Sequence, residues 1–173
     1  MVKIARHKDD YYPTPPEATE SLLQVEKFEG KILEPACGEG HISKVLMSHG
    51  HQVVSNDLID RGYGTGGIDF LMEYQRYPNI ITNPPFKLAK EFILRSLELS
   101  DNKVAMFLRL AFLESQSRKK ELFDPFPPAR VWVFSKRLTL WINGDKPTSS
   151  GTMAFCWMVW DKKSNNKTEL KWL

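Results

Sequence analysis

Residues 31–57, KILEPACGEGHISKVLMSHGHQVVSND, decide the fold. Lys31 to Pro35 reads as a strand that runs into a turn carrying Gly38 and Gly40. His41 to Ser48 reads as a helix, which Gly50 ends because a left-handed residue closes a helix well. Gln52 to Asp57 reads as the next strand. Strand, glycine turn, helix and strand in this order build a parallel sheet with helices across it.

The same alternation extends outward. Upstream, the prolines of Asp9-Asp10-Tyr11-Tyr12-Pro13-Thr14-Pro15-Pro16 exclude a helix. A helix is expected from Glu17 to Lys27, with Pro15 and Pro16 suited to its first turn and Thr14 or a neighbour as its cap. Downstream, Arg61 to Gly67 is a glycine-rich loop and Gly67 to Phe70 is expected as a short third strand. Asn79 to Thr82 is a fourth strand. Lys87 to Ser100 has apolar residues at 88, 89, 92, 93, 94 and 97, a helical period. Lys103 to Leu110 is nearly all apolar, as in a strand buried on both faces. Ser115 to Phe123 is expected as a helix with a basic face, and Val131 to Ser135 and Met153 to Asp161 as strands six and seven. Thr168 to Leu173 either returns as a hairpin strand through Asn165-Asn166 or forms a frayed tail. The expected fold class is α/β: a doubly wound, mostly parallel seven-stranded sheet with an antiparallel edge hairpin, in one domain over residues 1–173.

Composition bounds the function classes. The chain has 173 residues, 42% hydrophobic, enough for a full core. Its longest apolar run, Met153 to Trp160, is too short to span a bilayer, and Met1 to Asp10 is too charged for a signal peptide. Cys37 and Cys156 have no partners at metal-ligand spacing, and His41, His49 and His51 have no carboxylate or cysteine to complete a site. The expectation is a cytoplasmic protein without membrane or metal. Residues 1–100 hold 11 Lys/Arg against 14 Asp/Glu, and residues 101–173 hold 13 against 7. The basic half either faces phosphates or is an ordinary solvated surface.

Two turns carry chemistry. In Glu34-Pro35-Ala36-Cys37-Gly38-Glu39-Gly40, the glycines let the backbone turn sharply and approach a ligand, at the position where open α/β sheets bind nucleotides. Ser43 stands where the dinucleotide fingerprint has its third glycine, and no Lys-Ser/Thr pair makes a phosphate loop. Asp57, ending the second strand, is placed to accept ribose hydroxyls. Asp69 is placed to accept from an adenine amine, with Phe70 against the ring. The simpler alternative is a pair of ordinary turn glycines.

The second turn is Asn83-Pro84-Pro85-Phe86. Two prolines remove two amide donors and fix two φ angles. A strand ended this stiffly can hold the Asn83 side-chain oxygen and the Pro84 carbonyl side by side as acceptors. That pair suits a planar –NH2 group, which donates twice, and an aromatic two residues on can stack on the ring bearing it. The alternative is a loop with Phe86 as a core plug.

Taken together, these segments resemble the amino-group DNA methyltransferases, especially the adenine-N6 group and its small phage or prophage-type members. The resemblance implies the Rossmann-like fold of S-adenosylmethionine (SAM)-dependent methyltransferases, with SAM as cofactor and DNA as partner. It implies that Tyr12-Pro13-Thr14-Pro15 folds over SAM, and that Glu34, Cys37, Gly38 and Gly40 form the SAM loop. Asp57 takes the ribose position, Asp69 and Phe70 the adenine position, and Asn83, Pro84, Pro85 and Phe86 the catalytic tetrad. The sulfonium methyl is already electrophilic, so positioning and electrostatics carry the catalysis without a dedicated base. Asn rather than Ser at 83 points to adenine over cytosine. The chain departs from sequence-specific members in having no separate target-recognition domain; Lys136 to Thr152 is its one candidate insertion. Asn-Pro-Pro-aromatic turns also serve methyltransferases of rRNA adenine N6, of guanine N2 and of protein glutamine. A silent nucleic-acid- or nucleotide-binding module is the rival from another class. Arg109, Trp157 and Trp160 read first as packing or edge residues.

Overall fold

A computed structural model describes residues 11–138, 153–165 and 167–173. Helix α1 spans Pro16–Val25, with prolines at its N-terminus where a missing N–H costs nothing. Strand β1 (Ile32–Glu34), helix α2 (His41–Ser48) and strand β2 (Val53–Ser55) follow. Then come β3 (Tyr77–Thr82), α3 (Ala89–Leu99), β4 (Ser100–Arg109) and α4 (Gln116–Arg118), which continues as a π-turn over Lys119–Phe123. Strands β5 (Arg130–Val133), β6 (Phe155–Asp161) and β7 (Glu169–Trp172) complete one sheet in the order β2-β1-β3-β4-β6-β5-β7.

The fold is α/β and the sheet is mostly parallel, with β6 antiparallel to both β4 and β5. Among the described residues seven strands form, but two sequence expectations change. The segment 67–70 makes no strand: Gly67 takes φ +75°, and Asp69 accepts the Leu71 amide at 3.0 Å to cap a 3-10 turn at Phe70–Met72. The C-terminal strand does not pair back on β6 as a hairpin. It passes β5 and joins the edge parallel to it, Val131 opposite Leu170. Most of the candidate insertion, residues 139–152, lies outside the described residues, as does Asn166 of the proposed turn.

The two faces of β4 show why the sheet is doubly covered. Ala105 and Phe107 point into a core with Leu22, Ile42, Leu46 and Trp157, beneath α1 and α2. Val104, Met106 and Leu108 point the other way, into a core with Phe92, Ile93 and Met158 beneath α3. Alternate residues face opposite sides, so a strand covered on both must be apolar throughout. All of Val104 to Leu108 is buried.

Beyond β1 the chain first adds β2 on one side, then returns to place β3 on the other. The loops after β1 and β3 therefore diverge at the carboxyl edge and leave a crevice, the usual ligand position in open α/β sheets.

Candidate active site

The loop after β1 is built around Glu34, which is 1% exposed. Its Oε2 accepts the Ser43 amide at 2.8 Å and the Ser43 hydroxyl, and Ser43 Oγ also meets Ser55 Oγ at 2.6 Å. Ser43, where a dinucleotide loop would have glycine, thus ties α2 to β1 and β2. Burial pushes the Glu34 carboxyl up to about 8, against the lowering effect of the Ser43 hydrogen bonds and with a contribution from Asp57. Cys37 is buried beside it, its thiol pushed up to about 12, chiefly by desolvation.

Gly38 (φ +53°) and Gly40 (φ +81°) take the left-handed backbone. A Cβ on Gly38 would lie 2.3 Å from the Tyr11 ring, so the turn requires glycine for both conformation and space. Asp57 braces this turn: Oδ2 accepts the Gly38 amide at 2.7 Å and Oδ1 the Ile59 amide at 2.9 Å. A carboxylate has about four lone-pair sites, so each oxygen keeps one for a ligand.

At the end of β3, Asn83 Nδ2 donates to the Tyr12 carbonyl at 2.9 Å and to Thr14 Oγ1 at 3.0 Å. A carbonyl only accepts, which fixes the amide orientation: the nitrogen faces the N-terminal segment and Oδ1 faces away. Phe86 stacks on Tyr12, with centroids 5.7 Å apart and planes inclined by 19°. The Arg109 guanidinium lies 4.5 Å from the Phe86 centroid. Phe86 is already part of an aromatic wall rather than a free platform.

These segments enclose a cavity of about 440 Å3. Of the residues singled out in the sequence, Tyr12, Thr14, Glu34, Cys37, Asp57, Asn83 and Pro85 line it. Gly38 and Gly40 shape its loop, Pro15 is the N-cap of α1, and Pro84 and Phe86 flank the lining residues Asn83 and Pro85 in sequence. Asp69 and Phe70 are not in it. Phe70 is buried against Phe92 at 5.0 Å, because the 3-10 turn aims its ring into the core under α3. Sequence reading missed Tyr11, His41, Leu58, Ile59, Arg61 and Lys87, which also line the cavity. Leu58 and Ile59 are 61% and 37% exposed; an apolar pair directly after the strand-ending Asp57 was the available signal. Among the described residues, no three of His, Cys, Asp and Glu gather as metal ligands, and no helix is long and apolar enough to cross a membrane.

The fold recurs among solved methyltransferases. A Pyrococcus horikoshii protein assigned as an RNA methyltransferase matches with TM-score 0.68 at 15% identity, covering 94% of this chain and 92% of that one. A modification subunit assigned to a type I restriction enzyme of Vibrio vulnificus gives 0.62 at 15% identity, covering 97% of this chain and 48% of that chain, so this chain spans about half its length. Magnesium protoporphyrin IX methyltransferase of Synechocystis, solved with bound SAM, gives 0.56 at 15% identity, over 83% of this chain and 75% of that one. No protein-family model matches the sequence, and no curated protein matches it. The class is defined by fold: the chain has the Rossmann-like fold of SAM-dependent methyltransferases.

Proposed function

We propose that this chain is a SAM-dependent methyltransferase whose acceptor is the exocyclic amine of a nucleic-acid base, adenine N6 in DNA before the others. The carrying observation is the Asn83 amide, whose nitrogen is held by Tyr12 and Thr14 so that Oδ1 is left for a donor at the wall of the cavity that Asp57 also lines. In this reading Oδ1 and the Pro84 carbonyl accept both hydrogens of the amine. Drawing on both N–H groups favours a pyramidal nitrogen and localises a lone pair otherwise delocalised into the ring. A base leaving a duplex would meet the aromatic wall of Tyr12 and Phe86.

The cavity suits SAM. Its volume falls in the range of small-molecule sites. Asp57 keeps lone pairs for ribose hydroxyls, and the exposed Leu58 and Ile59 offer an apolar face for adenine, the role the sequence reading gave to Asp69 and Phe70. In this reading the methionine end lies beside the Gly38–Gly40 turn, bordered by Tyr12, Thr14, Glu34 and Cys37. When bound, SAM supplies an electrophilic methyl carbon. The chain's own contribution is to align the amine nitrogen and polarise its hydrogens. A cytoplasmic setting follows from this reading.

RNA is the second reading, favoured by the likeness over nearly the whole length to a protein assigned as an RNA methyltransferase. Transfer from tritiated SAM to duplex DNA, single-stranded DNA, total RNA and protein, followed by nucleoside identification, tests both. N6-methyladenine in DNA supports the first, and label confined to RNA adenine or guanine supports the second. Label confined to protein glutamine overturns the nucleic-acid reading. SAM binding with no transfer to any substrate supports a silent binding module, and no SAM binding overturns the proposal.

A further inference from the structure

Beyond Phe86 the carboxyl edge of the sheet continues as an open groove of about 800 Å3, with Arg109, Leu113, Glu114, Met153, Leu170 and Trp172 among its walls. Strands β4, β5 and β7 run in the same sense as β1 and β3. Their C-terminal ends therefore lie on the side of the sheet that holds the cavity. Arg109 sits between the two, ending β4 in the groove wall with its guanidinium against Phe86.

Arg109 differs from several other cations of the chain. Lys103, Lys119, Arg130 and Lys171 each pair with a carboxylate. Among the described residues Arg109 pairs with none, and its buried Nε has no acceptor. A half-buried guanidinium without an anion keeps its planar fork of donors for a ligand oxygen, and that fork matches phosphate. Across the groove, Trp172 is 65% exposed and Leu170 51% exposed. An exposed indole beside an unpaired arginine is the combination that holds single-stranded nucleic acid, the cation on the backbone and the ring on a base.

We infer that this groove carries the nucleic-acid strand flanking the target base, with Arg109 on a backbone phosphate and Trp172 stacked on a neighbouring base. The inference rests on the proposed nucleic-acid reading of the cavity and adds the path of the polymer. Glu114, exposed in the same wall, weakens binding by repelling the backbone.

The test is fluorescence anisotropy of a labelled single-stranded oligodeoxynucleotide, and of the matching oligoribonucleotide, with the full chain and its R109Q, W172A and E114Q variants across a salt series. R109Q is expected to bind roughly tenfold more weakly and to lower the salt slope by about 0.7, the value for one phosphate on a single strand. W172A is expected to weaken binding by about fivefold or more, and E114Q to tighten it. Trp172 and Glu114 are exposed, so these two variants keep the question open to refutation if R109Q fails to fold. SAM affinity by calorimetry should stay unchanged. If the wild type methylates nucleic acid while all three variants bind with its affinity and salt slope, the groove is overturned and the cavity reading stands. If the wild type binds SAM but neither binds nor methylates any nucleic acid, both are overturned.

Discussion

Asn83 has one donor group and one acceptor, and the fold assigns them opposite directions: Nδ2 into the N-terminal segment, Oδ1 outward. Asn83→Ala removes the outward acceptor, used most in the transition state. Turnover should fall about a hundredfold with SAM affinity nearly unchanged; equal losses in both would count against the assignment. Thr14→Val leaves the amide with the Tyr12 carbonyl alone. Turnover should then fall about tenfold, roughly the loss of one hydrogen bond, and Thr14→Ser should restore it. Asn83 and Thr14 are candidate site residues from the sequence and both line the cavity, but their contact is not legible there, because spacing says nothing of which side chains meet across 69 residues. Glu34 was likewise legible only as a loop residue; its protonation follows from burial. The unfolded carboxyl titrates near 4.5 and the folded one near 8, so folding takes up a proton between those values. This group's stabilisation is complete below 4.5 and is lost as pH rises through about 8. Glu34→Gln fixes the neutral form, so its thermal midpoint should fall less than that of the wild type over this range. Taking the difference between the two proteins removes His41 and His51, whose pKa values are lowered by burial and act in the opposite sense.

Among elements, the turn from β1 to α2 is the most constrained. Its shape needs a left-handed residue at 38, a Tyr11 ring close above it, and Asp57 accepting its amide. Gly38→Ala brings a Cβ against that ring and strains the backbone, at a cost of roughly 1–3 kcal/mol. Chemical denaturation should show the loss, and calorimetry a weaker SAM affinity, because the displaced turn releases Asp57. An alanine variant as stable and as tight-binding as the wild type would remove the turn from the proposed site. This element could be read from the sequence because glycine placement is a local requirement. Helices α2 and α3 could be read for the same reason, since a helical period is local. Residues 67–70 differ from the expected strand because Gly67-Ile68-Asp69-Phe70 also fits the entry to a capped 3-10 turn, and the Asp69 side chain decides between them. The partner of β7 was not legible at all: its choice of β5 over β6 is made by sheet packing, not by the turn that precedes it.

At the scale of the whole molecule, the two ends of the sheet differ in kind. The carboxyl edge is open, with cavity and groove side by side. The opposite end is closed by charge: Glu26, just past α1, takes Arg130 from β5, Lys103 from β4 at 2.8 Å and Trp132 Nε1 at 3.0 Å. Asp161 at the end of β6 takes Arg130 at 2.8 Å. Burial alone would raise the Glu26 carboxyl, but its hydrogen bonds from Arg130, Lys103 and Trp132 outweigh that and hold it below 4.5. Asp161 is lowered in the same way. Folded values below the unfolded ones give stability that is present above about 4.5 and is lost as pH falls through the folded values. Acid should therefore weaken this end of the sheet, while alkali acts on the other through Glu34. Arg130→Met tests the division. The Glu26 side chain is 2% exposed, and removing its main partner leaves a buried carboxylate short of compensation, a loss of about 3–5 kcal/mol. For a chain of this size that is a fall of roughly 6–20 °C in thermal midpoint. The folded variant should bind SAM as the wild type does, because the cavity lies across the sheet from the missing charge. A variant of unchanged midpoint, or one whose SAM affinity falls while it remains folded, would mean that the two ends are not separate in stability and function.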